Sequence, residues 1–266
     1  MKHYSIGRAI PLLLIGTGLF GTGYTAGVSP EELRVVTPLP AVPSRVVETR
    51  PQQKVFGHSV NGEPLNAFVF GTGPNVTLIM GGIHGDEPGA AGVVELLRQD
   101  LEQHPEAYTG CCVVLVPRCN PDGLLARTRT NERGVDLNRN FPFEWKERGR
   151  AVRYSTGSGP ASEPETRALM HLMILYHPLK VISVHQPLDC MTWCGPGSRT
   201  LAEGMQRWNH YPIPDSIGYP TPGSFGKYCG KGMRIAEVTL ELPAVSAARA
   251  WNQNRHALFA AIRFGS

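Results

Sequence analysis

Several features that would point to other classes of protein are missing from this sequence of 266 residues. Basic and acidic residues are well mixed and the formal net charge is only +4, whereas a nucleic-acid-binding surface needs clustered basic residues. The sequence has no repeat of solenoid length. It also has no pair of C-x-x-C motifs, so a metal site made of thiolates is not expected. Hydrophobic residues make up 41 % of the chain, which is enough for a sizeable core.

Residues 1–26 have the layout of a signal peptide. A basic start that ends at Arg8 precedes the apolar residues 9–20, and small residues follow. Because no charge lies between Arg8 and Glu31, an uncleaved membrane anchor is the alternative. We therefore expect an exported protein, periplasmic or secreted, with membrane attachment only through this segment.

The rest of the chain divides into a linker and one folded domain. Residues 27–50 contain several prolines and little periodicity, which predicts an extended linker. Residues 51–266 carry the pattern of an α/β domain, and Asn61-Gly62 is a strong hairpin turn signal between two apolar segments. Strands are predicted at 55–60, 65–70, 76–80, 111–116, 180–185 and 234–242, a turn at 118–123, and helices from about 90 to about 104 and from a Ser162/Glu165 capping box to about 176.

His84 and Glu87 lie on the glycine-rich turn between the strand 76–80 and the following helix. The carboxyl end of a strand is where open α/β sheets bind their ligands. Imidazole nitrogen and carboxylate oxygen are common zinc donors, and two such residues on one tight turn can reach the same ion. The alternative is that His84 caps the helix while Glu87 complements its dipole. Two protein donors do not complete a metal site, so a third is expected later in the chain.

Two later strands carry further candidates. His185 is the last residue of the strand 180–185, which suits a third metal ligand, although a histidine there is often structural. In the strand 234–242, Glu241 alternates with leucines and therefore points to the opposite face. Burying an unpaired carboxylate costs free energy, so Glu241 needs a functional explanation. A general base whose pKa is tuned by burial provides one.

The loop 124–143 is rich in groups that can bind a carboxylate. Guanidinium groups grip carboxylates with two hydrogen bonds, and an asparagine amide can add another donor. The alternative is a solvated loop in which Asp136 and Glu132 pair with the arginines. The candidate donors are Arg127, Arg129, Asn138 and Arg139.

Six segments in this order resemble the zinc carboxypeptidase family, and within it the bacterial murein peptide amidase type. Those enzymes cut the γ-D-glutamyl–diaminopimelate bond of peptidoglycan peptides. The matching segments are His84-Gly-Asp-Glu87, Asn120-Pro-Asp-Gly123, Gly134-Val-Asp-Leu-Asn138-Arg139-Asn140-Phe141, Ser162-Glu-Pro-Glu165, the strand ending in His185, and Thr239-Leu-Glu241-Leu-Pro243.

The resemblance implies an α/β fold, a mixed eight-stranded sheet with helices on both faces, with residues 51–266 as the catalytic domain. It also implies one zinc ion per chain, bound by His84, Glu87 and His185 with water in the fourth position. Glu241 would be the general base that takes a proton from the metal-activated water. The implied reaction is hydrolysis of the bond before a carboxyl-terminal residue.

The substrate residues also follow from the resemblance. Asn138 and Arg139 would hold the terminal carboxylate, and Arg129 would polarise the scissile carbonyl, with Arg127 as the alternative. Tyr228 would either cover the leaving residue or simply pack. Asp86 would either pair with a substrate ammonium group or orient one of the metal-binding residues without itself binding the metal.

Family analogy also suggests a disulfide at the rim of the site. In an exported protein, Cys229 would be bridged to Cys190 or Cys194. The adjacent Cys111 and Cys112 face opposite sides of their strand and are expected to be buried small hydrophobes.

Two other functions share much of this pattern. A zinc-dependent N-acyl amino acid deacylase of the aspartoacylase and succinylglutamate desuccinylase type has similar metal and Asp-Leu-Asn-Arg segments. A non-catalytic peptidoglycan-binding module could use the same scaffold, although such modules usually lack a ligand or the base. The sequence gives no indication of the oligomeric state.

Overall fold

A mixed seven-stranded sheet runs through the part of the chain that the computed structural model describes, residues 51–148 and 155–265. The predicted signal or anchor segment 1–26 and the linker 27–50 lie outside the described residues. Within those residues, no helix is both long and apolar enough to cross a membrane. The strands are β1 (Gln52–His58), β2 (Pro64–Phe70), β3 (Asn75–Met80), β4 (Cys111–Val116), β5 (Lys180–His185), β6 (Cys190–Cys194) and β7 (Ala236–Glu241).

The strand order across the sheet is β1-β2-β4-β3-β5-β7-β6. The four central strands, β4, β3, β5 and β7, are mutually parallel, while β1, β2 and β6 are antiparallel to their neighbours. The carboxyl ends of β3, β5 and β7 therefore meet at one edge, as the sequence predicted for His84, His185 and Glu241. This edge carries the candidate site.

The helices lie on both faces of the sheet, as expected. Helices α1, α4 and α6 pack on one face around Leu97, Leu201 and Leu258, and α3 packs on the other face through Leu169 and Leu172. The helices are α1 (Pro88–Gln103), α2 (Pro121–Ala126), α3 (Pro164–Tyr176), α4 (Ser198–Asn209), α5 (Phe225–Lys227) and α6 (Ala247–Arg263).

The expected eighth strand is absent from the described residues. Between α4 and β7 the chain is mostly irregular and contains Pro212, Pro214, Pro220 and Pro222. Proline has no backbone N–H and cannot donate to a strand ladder. This segment instead forms one wall of the site cavity.

Two local predictions at helix starts are wrong. The predicted turn at 118–123 begins helix α2, because the Asn120 side chain accepts a hydrogen bond from the backbone N–H of Gly123 and Pro121 suits the first helical position. The predicted capping box at α3 does not form, and the Ser162 hydroxyl donates to Glu163 instead. Pro164 begins this helix, and no side chain caps it.

Long-range hydrogen bonds hold the Glu165 carboxylate, so that it does not cap the helix. Its side chain is completely buried and accepts from the backbone N–H of Val60 at 3.0 Å and from the Asn131 amide at 3.1 Å. One carboxylate therefore joins the β1–β2 turn and the loop 127–141 to the start of α3.

We predict that Glu165→Ala lowers the free energy of unfolding by about 2 kcal/mol, because it removes a buried acceptor from the half-buried Val60 N–H and leaves the buried Asn131 amide with Glu163 as its remaining acceptor. The matched control is Glu203→Ala on the exposed face of α4, where the only salt bridge is with Arg199 and the expected change is small. Urea unfolding of both variants measures the difference, and equal losses would contradict this role for Glu165.

Candidate metal and catalytic site

The turn after β3 is shaped by a close backbone contact. A Cβ atom at Gly85 would lie 2.0 Å from the carbonyl carbon of Gly123 at the start of α2, so only glycine fits there. Glu87 occupies the N-cap position of α1, but its side chain makes no capping hydrogen bond. The helix-cap alternative for this turn is therefore not what the structure shows, since the Glu87 carboxylate faces two histidines instead.

His84, Glu87 and His185 come together at the edge of the sheet. The Glu87 carboxylate contacts His84 Nδ1 at 2.7 Å through Oε1 and His185 Nδ1 at 3.0 Å through Oε2. One donor atom from each residue lies within 4.8 Å of the other two, and all three residues are buried. This is the only such group of three among the described residues. Two imidazoles and a carboxylate form a donor set that zinc prefers.

The other ring nitrogens of the two histidines are held from outside the cluster. His84 Nε2 lies 3.2 Å from Asp136 Oδ1, and His185 Nε2 lies 3.1 Å from the hydroxyl of Ser183. Partners of this kind fix the ring orientation and the tautomer of metal-binding histidines. The Nδ1 atoms are thereby left directed toward the shared centre, so the residues present fit a bound zinc ion.

The electrostatics of the cluster favour a cation. Burial alone would lower the pKa of His84, but Asp136 and Glu87 raise it to about 9. Burial raises the pKa of Glu87, yet the neighbouring His185 and His84 hold it well below its usual range. The buried carboxylates therefore stay ionised and stabilise positive charge at the cluster, and a divalent cation bound there would displace protons from the histidines.

Glu241 stands directly opposite His185 in the parallel pairing of β5 and β7. Its Oε2 atom is buried and has no hydrogen-bond partner in the described part of the chain. Burial raises the pKa of Glu241 above its usual range, and the charge of His185 opposes this shift. A proton-accepting group beside the metal cluster needs this combination of proximity and raised pKa.

Asp136 was considered from the sequence only as a partner of the arginines, and the structure gives it a larger part. Besides His84, its carboxylate accepts from Arg129 Nε at 3.0 Å and from the backbone N–H of Asn138 at 2.9 Å. It is completely buried. A single carboxylate therefore connects the metal cluster to the loop that carries the candidate substrate residues. The Gly-Val-Asp-Leu-Asn-Arg stretch was the available signal, but spacing alone does not show which residue contacts a ligand.

The proposed carboxylate-binding residues line the same cavity, which measures about 1240 Å³. The Asn138 side chain accepts from the backbone N–H of Phe225 at 2.9 Å, and Arg139 donates to the backbone carbonyl of Asn138 at 2.6 Å. Arg129 also reaches the cavity, 3.6 Å from Glu87 Oε1. Arg127 is exposed and does not line the cavity, so of these two arginines Arg129 is the one that reaches it.

Two candidate substrate residues occupy different settings. Asp86 is exposed on the cavity wall. Burial lowers the pKa of Arg129, but the charges of Asp136, Glu87 and, least, Asp86 raise it. Tyr228 does not line the cavity, because its ring packs against Phe141 with 5.5 Å between centroids. Of the two roles considered for Tyr228, the structure therefore supports packing rather than a contact in the cavity. Tyr219, which the sequence did not single out, is the tyrosine on the cavity wall.

The expected disulfide at the rim is absent, since all six cysteines are free and all lie within the described residues. Cys229 is completely buried in the core, and burial raises the pKa of both Cys229 and Cys194. Protonated buried thiols behave as small hydrophobic groups. Cys111 and Cys112 belong to the cores on opposite faces of the sheet, as predicted.

We predict that Asp136→Asn weakens zinc binding by on the order of 10- to 100-fold, because His84 loses the carboxylate that fixes its tautomer. The matched control is Glu132→Gln. Glu132 is an exposed acid of the same loop whose hydrogen bond is with Asn61, not with a proposed metal ligand. Competition with a fluorescent chelator measures both affinities. Equal affinities for the wild type and Asp136→Asn would contradict the role of this carboxylate.

Comparisons with known proteins agree with the geometry. A sequence profile described as zinc carboxypeptidase matches residues 45–189. Murein peptide amidase A of Escherichia coli strain K12 is 35 % identical over 214 residues, which cover 74 % of this chain and 84 % of that protein. The protein of the same name from Vibrio campbellii is 35 % identical over 205 residues, covering 72 % and 79 % respectively.

Solved structures show the same relationship. The murein-tripeptide amidase of Escherichia coli O157 aligns with a TM-score of 0.66 at 31 % identity, covering 81 % of this chain and 93 % of that one. Carboxypeptidase A of Helicoverpa armigera has a TM-score of 0.72 at 16 % identity, covering 82 % and 70 %, and supports the fold alone. The profile spans more than half of the chain, and the amidases exceed 30 % identity over most of it. The chain therefore belongs to the zinc carboxypeptidase family and is a hydrolase.

Proposed function

We propose that this protein is a zinc-dependent peptidase that hydrolyses the bond between γ-D-glutamate and diaminopimelate in peptidoglycan peptides. The observation that carries the proposal is the convergence of His84, Glu87 and His185 beside Glu241, in one cavity with Asn138 and Arg139. The similarity to murein peptide amidases supports the choice of substrate.

Zinc would be held by His84, Glu87 and His185, with Asp136 and Ser183 fixing the two histidines. When bound, the metal supplies a Lewis acid that lowers the pKa of water and polarises a carbonyl group. Three protein ligands are the usual number for a catalytic zinc site, because a position stays open.

Glu241 would take a proton from the attacking water and then deliver it to the leaving amine. Its raised pKa suits both steps, since a base must bind the proton and later release it near neutral pH. Arg129, held in place by Asp136, would stabilise negative charge that develops on the scissile carbonyl oxygen.

The arrangement of Asn138 and Arg139 would restrict cleavage to the end of a peptide. Arg139 is buried, so an ion pair with a substrate carboxylate would form largely away from water. A carboxylate held there leaves the preceding amide bond beside the metal cluster. Export, predicted from residues 1–26, would bring the enzyme to peptidoglycan.

The decisive experiment is incubation of zinc-loaded protein with L-alanyl-γ-D-glutamyl-meso-diaminopimelate, with products identified by mass spectrometry. We expect release of diaminopimelate, loss of activity with a chelator, and recovery when zinc is restored. N-succinylglutamate is tested beside it, and preferential hydrolysis of that compound would favour the deacylase. No turnover of either substrate would leave only a binding module.

We predict that Glu241→Gln retains zinc but loses on the order of 100-fold or more in kcat, because it removes the base and no ligand. Metal content by mass spectrometry and steady-state kinetics measure the two effects. Glu203→Gln serves as the control for a surface glutamate. Activity near that of the wild type would rule out Glu241 as the base.

We predict that Arg139→Ala reduces kcat/KM for the tripeptide by about 30-fold or more, corresponding to about 2 kcal/mol for a buried charged hydrogen bond. A tripeptide amidated at the carboxylate beside the scissile bond should be equally poor for wild type and variant. Arg207→Ala, on the exposed side of α4, is the control. If Arg139→Ala still distinguishes the acid from the amide as the wild type does, the carboxylate is bound elsewhere.

A further inference from the structure

The polar surface of the site continues along β7 well beyond Glu241. Because side chains alternate along a strand, Glu237, Thr239 and Glu241 share one face. Four residues of strand separate the Cα atoms of the two glutamates by about 13 Å. Both glutamates and Thr239 line the same cavity. The cavity therefore contains a second acid at some distance from the metal cluster.

Glu237 is an unusual residue for the interior of a sheet. It is only 1 % exposed, and one carboxylate oxygen accepts a hydrogen bond from the Thr239 hydroxyl at 2.7 Å. No lysine, arginine or histidine within the described residues forms an ion pair with it. The nearby Lys227 on the cavity wall is already paired with Glu144. A buried carboxyl without a cationic partner costs free energy, so stability does not explain it.

A glycine on the cavity wall lies close to the Glu237 carboxyl. A Cβ atom at Gly226 would lie 2.9 Å from Glu237 Oε2 and 3.1 Å from its Cδ. Gly226 does not have a positive φ, so its backbone conformation does not require glycine. The absence of a side chain instead avoids crowding the carboxyl, and Gly226 itself lines the cavity.

The chemistry of this pocket fits a cation. Burial raises the pKa of Glu237 to about 8, and the hydrogen bond from Thr239 opposes this only in part. A positively charged group placed against the carboxyl would favour its ionised form and satisfy it. Cys194, opposite Glu237 on β6, and the buried Cys229 are neutral and do not supply such a charge.

We propose that Glu237 is a specificity-determining residue that binds the ammonium group on the side chain of the released residue. This rests on the proposed function, in which a carboxyl-terminal diaminopimelate is released. The distal amine of an extended diaminopimelate lies roughly 7 Å from the Cα beside the scissile bond. That reach covers about half of the roughly 13 Å between the Cα atoms of Glu241 and Glu237, and the Glu237 side chain extends toward the amine from the other end.

The test compares two tripeptides on the zinc-loaded, full-length protein. One ends in meso-diaminopimelate and the other in 2-aminopimelate, which lacks only the distal amine. We expect the wild type to prefer diaminopimelate by on the order of 10- to 100-fold in kcat/KM, and Glu237→Gln to lose most of this preference while still hydrolysing 2-aminopimelate peptide. The glutamine variant keeps the size of the side chain, and its thermal unfolding is measured alongside.

Three further variants make the comparison specific. Asp86→Asn removes the other non-ligand acid that was considered for the ammonium group, and Glu203→Gln is a surface control that should keep the preference. Gly226→Ala leaves Glu237 in place but puts a methyl group against its carboxyl, and should also reduce the preference. It provides the readout if Glu237→Gln does not fold.

Each remaining outcome bears on the inference. Equal rates for the two peptides with the wild type would overturn it while leaving the proposed function intact. Loss of preference in Asp86→Asn, with retention in Glu237→Gln or Gly226→Ala, would also overturn it and assign the ammonium group to Asp86. Failure of the wild type to cleave either peptide would overturn the proposed function, and this inference with it.

Discussion

The contact of the Glu87 carboxylate with His84 and His185 is the interaction on which the site depends. It joins the turn after β3 to the end of β5, which lie about a hundred residues apart in the chain. The parallel pairing of these strands brings the two ends to one edge of the sheet. Because each carboxylate oxygen contacts a different imidazole, the three donors converge before any ligand is considered.

Because the carboxylates of this arrangement are buried, each needs partners that offset the free energy lost on leaving water. An isolated carboxylate inside a protein is unstable unless it is paired and hydrogen-bonded. Glu87 and Asp136 meet this requirement through the histidines, Arg129 and backbone N–H groups. The same contacts hold the loop around Asn138 against the metal cluster. The proposed metal site and the proposed substrate site therefore share one hydrogen-bonded network, and a change at Asp136 is expected to affect both.

The two buried acids of β7 lack the ion pairs that stabilise Glu87 and Asp136. Glu241 and Glu237 are both buried, both have raised pKa values, and neither forms an ion pair among the described residues. Such groups are expected where a protein binds something rather than where it is stabilised. For Glu241 the expected partner is the proton of the attacking water. For Glu237 we infer the ammonium group of the released residue, so that one strand would contribute both to the reaction and to its selectivity.

The sequence alone determined the features that depend on local pattern. The apolar runs predicted β3, β4 and β5, and strand ends predicted the positions of His84, His185 and Glu241, because side-chain alternation and turn chemistry act over a few residues. Only the tertiary structure decided between the alternatives: the Glu165 carboxylate accepts from Val60 and Asn131 instead of capping its helix, Asp136 contacts His84 as well as an arginine, and Tyr228 packs against the core. It also revealed the pocket at Glu237. These outcomes depend on contacts between segments far apart in the chain, where burial and competition for hydrogen bonds outweigh local preference.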